Sequence, residues 1–174
     1  MEVYLVRHTE TVCEKGVCYG QSDVMLKEPF LEQFQHIKSQ IPIGATIYSS
    51  PLVRCTELAR HLSDSTIVTD NRLMEMDFGD WEMKKWDEIP EADFTPWMTD
   101  FVNVAVPNGE SFVDLHQRVT DFWSEIINQN NSRSIAIVSH AGVIRSILCT
   151  ISNLPLKDAF TNKVDFGAVI KIEL

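Results

Sequence analysis

The sequence predicts an α/β fold, a three-layer α/β/α sandwich on a mostly parallel sheet. Short β-branched apolar runs recur along the chain, stretches with apolar residues at three- and four-residue spacing lie between them, and the two kinds alternate. The apolar runs are Val3 to Val6, Thr46 to Tyr48, Ile67 to Val68, Ile135 to Val138 and Val169 to Ile172. Such runs suit strands covered on both faces. The last is expected at a sheet edge, where it can pair antiparallel.

The first helical pattern is Leu31, Phe34, Ile37 and Ile41, and the second, Leu58, Ala59 and Leu62, follows Pro51. A third, Phe112, Leu115, Val119, Phe122 and Ile126, follows the turn signal Pro107-Asn108-Gly109. Val143, Ile144, Ile147, Leu148 and Ile151 form the fourth, directly after His140. Residues 70–110 break the rhythm. They hold eleven of the 25 acidic residues, three of the four Trp and four of the six Met, with no clean strand or helix period. An irregular segment of that length in a compact domain is expected to cover a site while packing its Trp and Met on the core.

At 174 residues, the chain is expected to form one domain over 1–174. With 44% hydrophobic and 23% charged residues, its composition excludes disorder, collagen and disulfide miniproteins. A net charge of −10 repels polyanions, so neither nucleic acid nor an anionic membrane is an expected partner. Cys13, Cys18, Cys55 and Cys149 have neither CxxC nor zinc-finger spacing and read as reduced thiols. Met1 leads straight into an apolar strand with no basic leader, and no apolar run is long enough to span a bilayer. A cytoplasmic protein is expected. Nothing in the sequence sets an oligomeric state.

Two strands end alike. Leu5-Val6-Arg7-His8-Thr9 and Ile137-Val138-Ser139-His140-Ala141 each run from an apolar strand into a histidine, at the carboxyl edge where open α/β sheets bind ligands. After His140, Ala141-Gly142 opens a helix whose free amides and positive end suit an anion. A third strand ends at Ser49-Ser50-Pro51, with Arg54 in the first turn of the helix that follows. Arg7 and Arg54 together can fork around phosphoryl oxygens, because guanidinium matches phosphate bidentately. Neither histidine has a metal-binding HExxH or HxD partner, so no metal is expected. No GxSxG, GxxxxGK[ST] or GxGxxG is present, which argues against a serine hydrolase and against a nucleotide cofactor.

With those residues in place, Leu5-Val6-Arg7-His8-Thr9-Glu10-Thr11 resembles the Arg-His-Gly signature of the histidine phosphatase superfamily, the phosphoglycerate-mutase-like enzymes. Four further blocks follow in the family's order: Ser49-Ser50-Pro51-Leu52-Val53-Arg54-Cys55-Thr56, Arg72 to Glu82 with its Gly79-Asp80-Trp81-Glu82, Pro107-Asn108-Gly109-Glu110-Ser111, and Val138-Ser139-His140-Ala141-Gly142. The resemblance implies a phosphoglycerate-mutase-like fold and a cofactor-independent phosphomonoesterase. It makes His8 the nucleophile, Arg7, Arg54 and His140 the phosphoryl-holding residues, and Glu75 the proton donor. Those roles are physically coherent. Flanking Arg7 and Arg54 keep His8 neutral enough to attack, and Glu75 must hold a proton, which a dianionic phosphate beside it promotes.

Thr9 departs from the family's Gly, and Glu14 stands where many members carry a phosphate-contacting Asn. Glu14 must turn away from a phosphate, so the loop from Cys13 to Gly20 is expected to run differently. Arg-His-Thr followed by Gly16-Val17-Cys18-Tyr19-Gly20-Gln21-Ser22-Asp23-Val24 is similar to the α-ribazole phosphatases of cobalamin biosynthesis. The expected partner is then a small phosphorylated substrate, α-ribazole 5′-phosphate. Tyr19, Phe78, Trp81 and Trp86 are placed to wall its cleft. A highly charged substrate wants more cations than Arg72, Lys84 and Lys85, which segment 70–110 sets against its eleven acids. Rival readings are a phosphoglycerate mutase, a broad-specificity small-molecule phosphatase and a non-catalytic phosphate-binding module. The last has no use for a proton donor.

Overall fold

In the computed structural model, which describes residues 1–63, 66–129 and 134–174, alternation along β1 (Glu2–Arg7) sets the layers. Val3 and Leu5 face one way, Tyr4 and Val6 the other, and all four are buried. The sheet order is β3-β2-β4-β1-β5, with β2 at Thr46–Ser49, β3 at Val68–Thr69, β4 at Ile135–Ser139 and β5 at Val169–Glu173. All neighbours are parallel except β5, which runs antiparallel to β1 at the edge.

Tyr4, Val6, Ile47, Ala136 and Val138 pack with α1 (Leu31–Lys38) and α2 (Val53–Leu62) through Phe34, Ile37, Cys55, Leu58 and Leu62. On the other face, Val3, Leu5, Ile135 and Ile137 meet Leu115, Val119, Phe122 and Ile126 of one long helix, Phe112–Gln129, and Val143, Ile144 and Ile147 of another, Ala141–Ser152. These are the two outer layers. Among the described residues, no helix is long and apolar enough to cross a membrane.

The observed elements depart from the expectation in four places. β3 is a two-residue strand with both residues exposed, and β5 is only partly buried, so coverage on both faces holds for the central strands and fails at the edges. The Ile67–Val68 strand begins one residue later than expected. The first helix stops at Lys38, and Ile41 reaches the core from the turn beyond it. Segment 70–110 contains a helix, α3 (Glu91–Thr99), that the pattern does not reveal. It buries only Trp97 and has Pro96 inside it, so neither periodicity nor propensity marks it. The long Phe112–Gln129 helix and the Ala141–Ser152 helix are accordingly α4 and α5.

Candidate active site

The two histidines meet because their strands are neighbours. Arg7 pairs with Ser139 in register, and His8 N donates to Ser139 O (3.1 Å). The rings lie edge to face with centroids 5.2 Å apart, and both side chains are almost fully buried. His8 Nδ1 lies 2.7 Å from the carbonyl oxygen of Thr9. A carbonyl only accepts, so Nδ1 carries the proton and Nε2 keeps its lone pair. Burial first, then the Arg54 charge, push His8 down to about 3, with Arg7 adding to them and the Thr9 hydrogen bond opposing them. His140 is likewise pushed well below its ordinary value by burial, then by Arg54 and by His8. Its Nε2 lies 2.8 Å from Ser50 Oγ, which ties the ring to the Ser-Pro turn after β2.

Arg7 Nη1 donates to Val164 O (2.7 Å), and the Arg7 guanidinium sits 3.8 Å over the Phe166 ring. Arg54 is fully buried in the first turn of α2, with Nη1 on Ser22 O (2.8 Å) and Nη2 on Gly20 O. The Nε of each arginine is buried with no hydrogen-bond partner among the described residues, a costly arrangement. Glu75 reaches the same place from segment 70–110. Its backbone is held by Arg118, which donates to the carbonyls of Arg72 (2.8 Å), Met74 (2.7 Å) and Glu75 (2.9 Å) while pairing with Glu110.

The expected amide donor at the start of α5 is already engaged: Gly142 N donates to Glu75 Oε2 (3.1 Å). A Cβ at 142 would collide with Glu75 Oε1. Gly142 thus brings the carboxylate onto the helix end instead of offering that amide to a phosphate.

Arg7, His8, Arg54, Glu75 and His140 all line one cleft of about 640 Å³, together with Tyr19, Phe78, Trp86 and Phe166. Trp81 does not. It is buried among Trp86, Phe94 and Trp97 in the core beneath, because its short helical turn points inward. Glu14 lines the rim of the same cleft with its side chain largely exposed, 3.8 Å from Lys85. Sequence reasoning missed Arg145 and Phe166. Arg145 lies one helical turn beyond Gly142 on α5, a spacing that places both on the Glu75 side, whereas Phe166 comes from the loop before β5 and has no local signal. Lys15 and Lys27 also line the cleft, so its cations come from outside segment 70–110. Among the described residues, no three His, Cys, Asp or Glu side chains gather as a metal-holding group.

Fold and site together define an α/β protein that gathers in one cleft, beside the ends of its central strands, two histidines pushed toward the neutral form, the Arg7, Arg54 and Arg145 guanidinium groups and the Glu75 carboxylate. The histidine phosphatase superfamily (branch 1) matches residues 3–174, and the chain belongs to that family. It is a phosphoric monoester hydrolase. Its relatives include a Hydrogenobacter thermophilus protein provisionally assigned as phosphoserine phosphatase 2, 29% identical over 184 residues (99% of this chain, 89% of the relative). The adenosylcobalamin/alpha-ribazole phosphatase of Escherichia coli K12 is 28% identical over 187 residues (100% and 90%). The crystal structure of the alpha-ribazole phosphatase from Shigella flexneri aligns with a TM-score of 0.91 at 28% identity, covering 100% of this chain and 91% of that one.

Proposed function

We propose that the chain is a cofactor-independent phosphomonoesterase that works through phosphohistidine at His8. One observation carries this reading: His8 spends its Nδ1 proton on the Thr9 carbonyl and is kept neutral, so the Nε2 lone pair is available beside Arg7 and Arg54. Arg7, Arg54 and His140 hold the transferring phosphoryl group and stabilise its developing charge. Glu75, at the start of α5, hands a proton to the leaving oxygen and then accepts one from the water that hydrolyses the intermediate. Stopping turnover with labelled substrate is expected to trap acid-labile, base-stable label on His8. Label on serine or aspartate, or wild-type activity in His8→Ala, overturns the assignment.

The proposed substrate is α-ribazole 5′-phosphate, in cobalamin biosynthesis. Support comes from the alpha-ribazole phosphatases among the relatives and from Tyr19, Phe78 and Trp86, which offer ring surface for a base. Four free thiols accord with a reducing, cytoplasmic setting. A second reading follows from Arg145 and Lys15: extra cations in the cleft suit a compact phosphomonoester that carries its own carboxylate, such as phosphoserine or 3-phosphoglycerate. Side-by-side kcat/KM values separate the two. The α-ribazole reading expects a preference of at least about tenfold, or 1.4 kcal/mol. Parity, or mutase turnover of 3-phosphoglycerate, removes it and leaves the phosphohistidine step standing.

A further inference from the structure

The family's Gly-x-Trp-Glu block places Glu82 directly after the buried Trp81, and its carboxylate faces backbone amides together with the Ser22 side chain. Oε1 accepts from Gly20 N (3.1 Å), Gln21 N (2.9 Å) and Phe78 N (3.1 Å), while Oε2 accepts from Gly20 N (3.0 Å) and Ser22 N (3.2 Å). Three consecutive amides therefore converge on one side chain. Burial pushes Glu82 up, but the hydrogen bonds from Gly20, Ser22, Gln21 and Phe78 outweigh it and hold the carboxyl below its usual range.

Two of these three residues also face Arg54 with their carbonyls. Gly20 O and Ser22 O take the two Nη groups of Arg54, leaving its Nε buried without a partner. One residue further, Asp23 Oδ1 accepts from Val53 N (2.7 Å), so this loop also holds the first turn of α2, which carries Arg54. A peptide has its N–H and C=O rigidly opposed. Fixing Gln21 N–H on Glu82 thus aims the Gly20 carbonyl, which shares that peptide plane and takes one Nη of Arg54, while Ser22 N–H anchors the residue whose carbonyl takes the other. Gly20 is required by the close approach, since a Cβ there would collide with Met76 O and stand 2.8 Å from Glu82 Oε1 and from Phe78 Cδ2.

We infer that Glu82 is a positioning residue for Arg54, acting through the backbone of residues 20–22; the inference rests on Arg54 holding the phosphoryl group, as proposed above. Glu82→Gln keeps the shape but turns an amide N–H₂ toward backbone donors, so part of the loop loses its anchor and the guanidinium its fixed direction. Gly20→Ala displaces the same peptide from the other side.

The test is a double-mutant cycle with p-nitrophenyl phosphate turnover and vanadate inhibition as readouts, in wild type, Glu82→Gln, Gly20→Ala, Arg54→Gln and the doubles with Arg54→Gln. Each loop variant is expected to lower kcat/KM and weaken vanadate by about 10²-fold, the order set by misplacing a catalytic group by about 1 Å. With Arg54 already replaced, the same changes are expected to alter either readout by no more than about twofold. Losses of equal factor in both backgrounds, or wild-type vanadate affinity in the loop variants, overturn the inference and leave the role of Arg54 intact. Should Glu82→Gln not fold, Gly20→Ala reads the same cycle. Wild-type kcat/KM in Arg54→Gln instead overturns the parent reading.

Discussion

The neutral state of His8 leaves a mark on stability that is separable from catalysis. Folded His8 titrates at about 3, against 6.5 for an unperturbed histidine. Above pH 6.5 neither folded nor unfolded chain is protonated there, and the group contributes nothing. As the pH falls below 6.5 the unfolded chain takes a proton that the folded chain refuses, so stability declines until the pH approaches 3. At pH 5 the resulting ratio of binding polynomials is about 32, which costs about 2 kcal/mol. For a chain of this length, that is a fall of about 4–8 °C in Tm. His8→Asn removes the titration while keeping an N–H for the Thr9 carbonyl. Urea unfolding of both proteins in phosphate-free buffer, at pH 7.5 and pH 5, cancels the carboxylates and other histidines they share. Phosphate is left out because an anion bound to the folded state alone adds its own stabilisation. Wild type is expected to lose about 2 kcal/mol more than the variant over that interval. A difference independent of pH refutes the argument that burial and Arg54 keep His8 neutral.

Glu75→Gln is expected to slow hydrolysis of alkyl phosphates by about 10² to 10⁴-fold and of p-nitrophenyl phosphate far less, because a low-pKa leaving group scarcely needs a proton. Equal losses on both substrates mean that Glu75 only positions the ligand. Gly142→Ala is expected to cost about 10²-fold or more on alkyl phosphates by driving Glu75 off the start of α5. Its Tm should hold nearly constant, since the lost hydrogen bond, about 1 kcal/mol, is offset by the better helix propensity of Ala, also about 1 kcal/mol; unchanged alkyl phosphatase activity refutes it. Activity is expected to survive exhaustive chelation and to be inhibited by vanadate, because guanidinium groups supply the charge stabilisation; loss on chelation with recovery on adding zinc or magnesium refutes this.

What was legible in the sequence had a local signature. An apolar run ending in histidine announces a buried strand delivering a side chain to the sheet edge, and it did so at His8 and His140. Pro51 followed by a helical pattern put Arg54 in a first turn, where it lies. The unread parts depend on closure in space. Arg145 reaches the cleft because α5 packs where Gly142 meets Glu75, and Phe166 because the chain returns to pair β5 with β1. Trp81 and Trp86 are five residues apart and look equivalent in sequence, yet one turn of 3₁₀ helix sends the first into the core and leaves the second at the cleft. The free amides expected after His140 were a sound inference from helix geometry, and Glu75, 67 residues away in sequence, took one of them.

Charge shows how global and local readings coexist. A net charge of −10 argues against polyanionic partners, yet the described residues lining the cleft include Arg7, Lys15, Lys27, Arg54 and Arg145 against Glu10, Glu14 and Glu75. Over a Debye length of about 8 Å, acids elsewhere on the surface are largely screened. In the proposed reading a small phosphate inside the cleft would instead lie against Arg7 and the buried Arg54, where charge interactions are stronger than at the open surface. The neutral histidines complete the arrangement. Had His8 been cationic, its lone pair would be lost; held neutral by burial and by the guanidinium charges, the same ring can serve as nucleophile where positive charge is most concentrated.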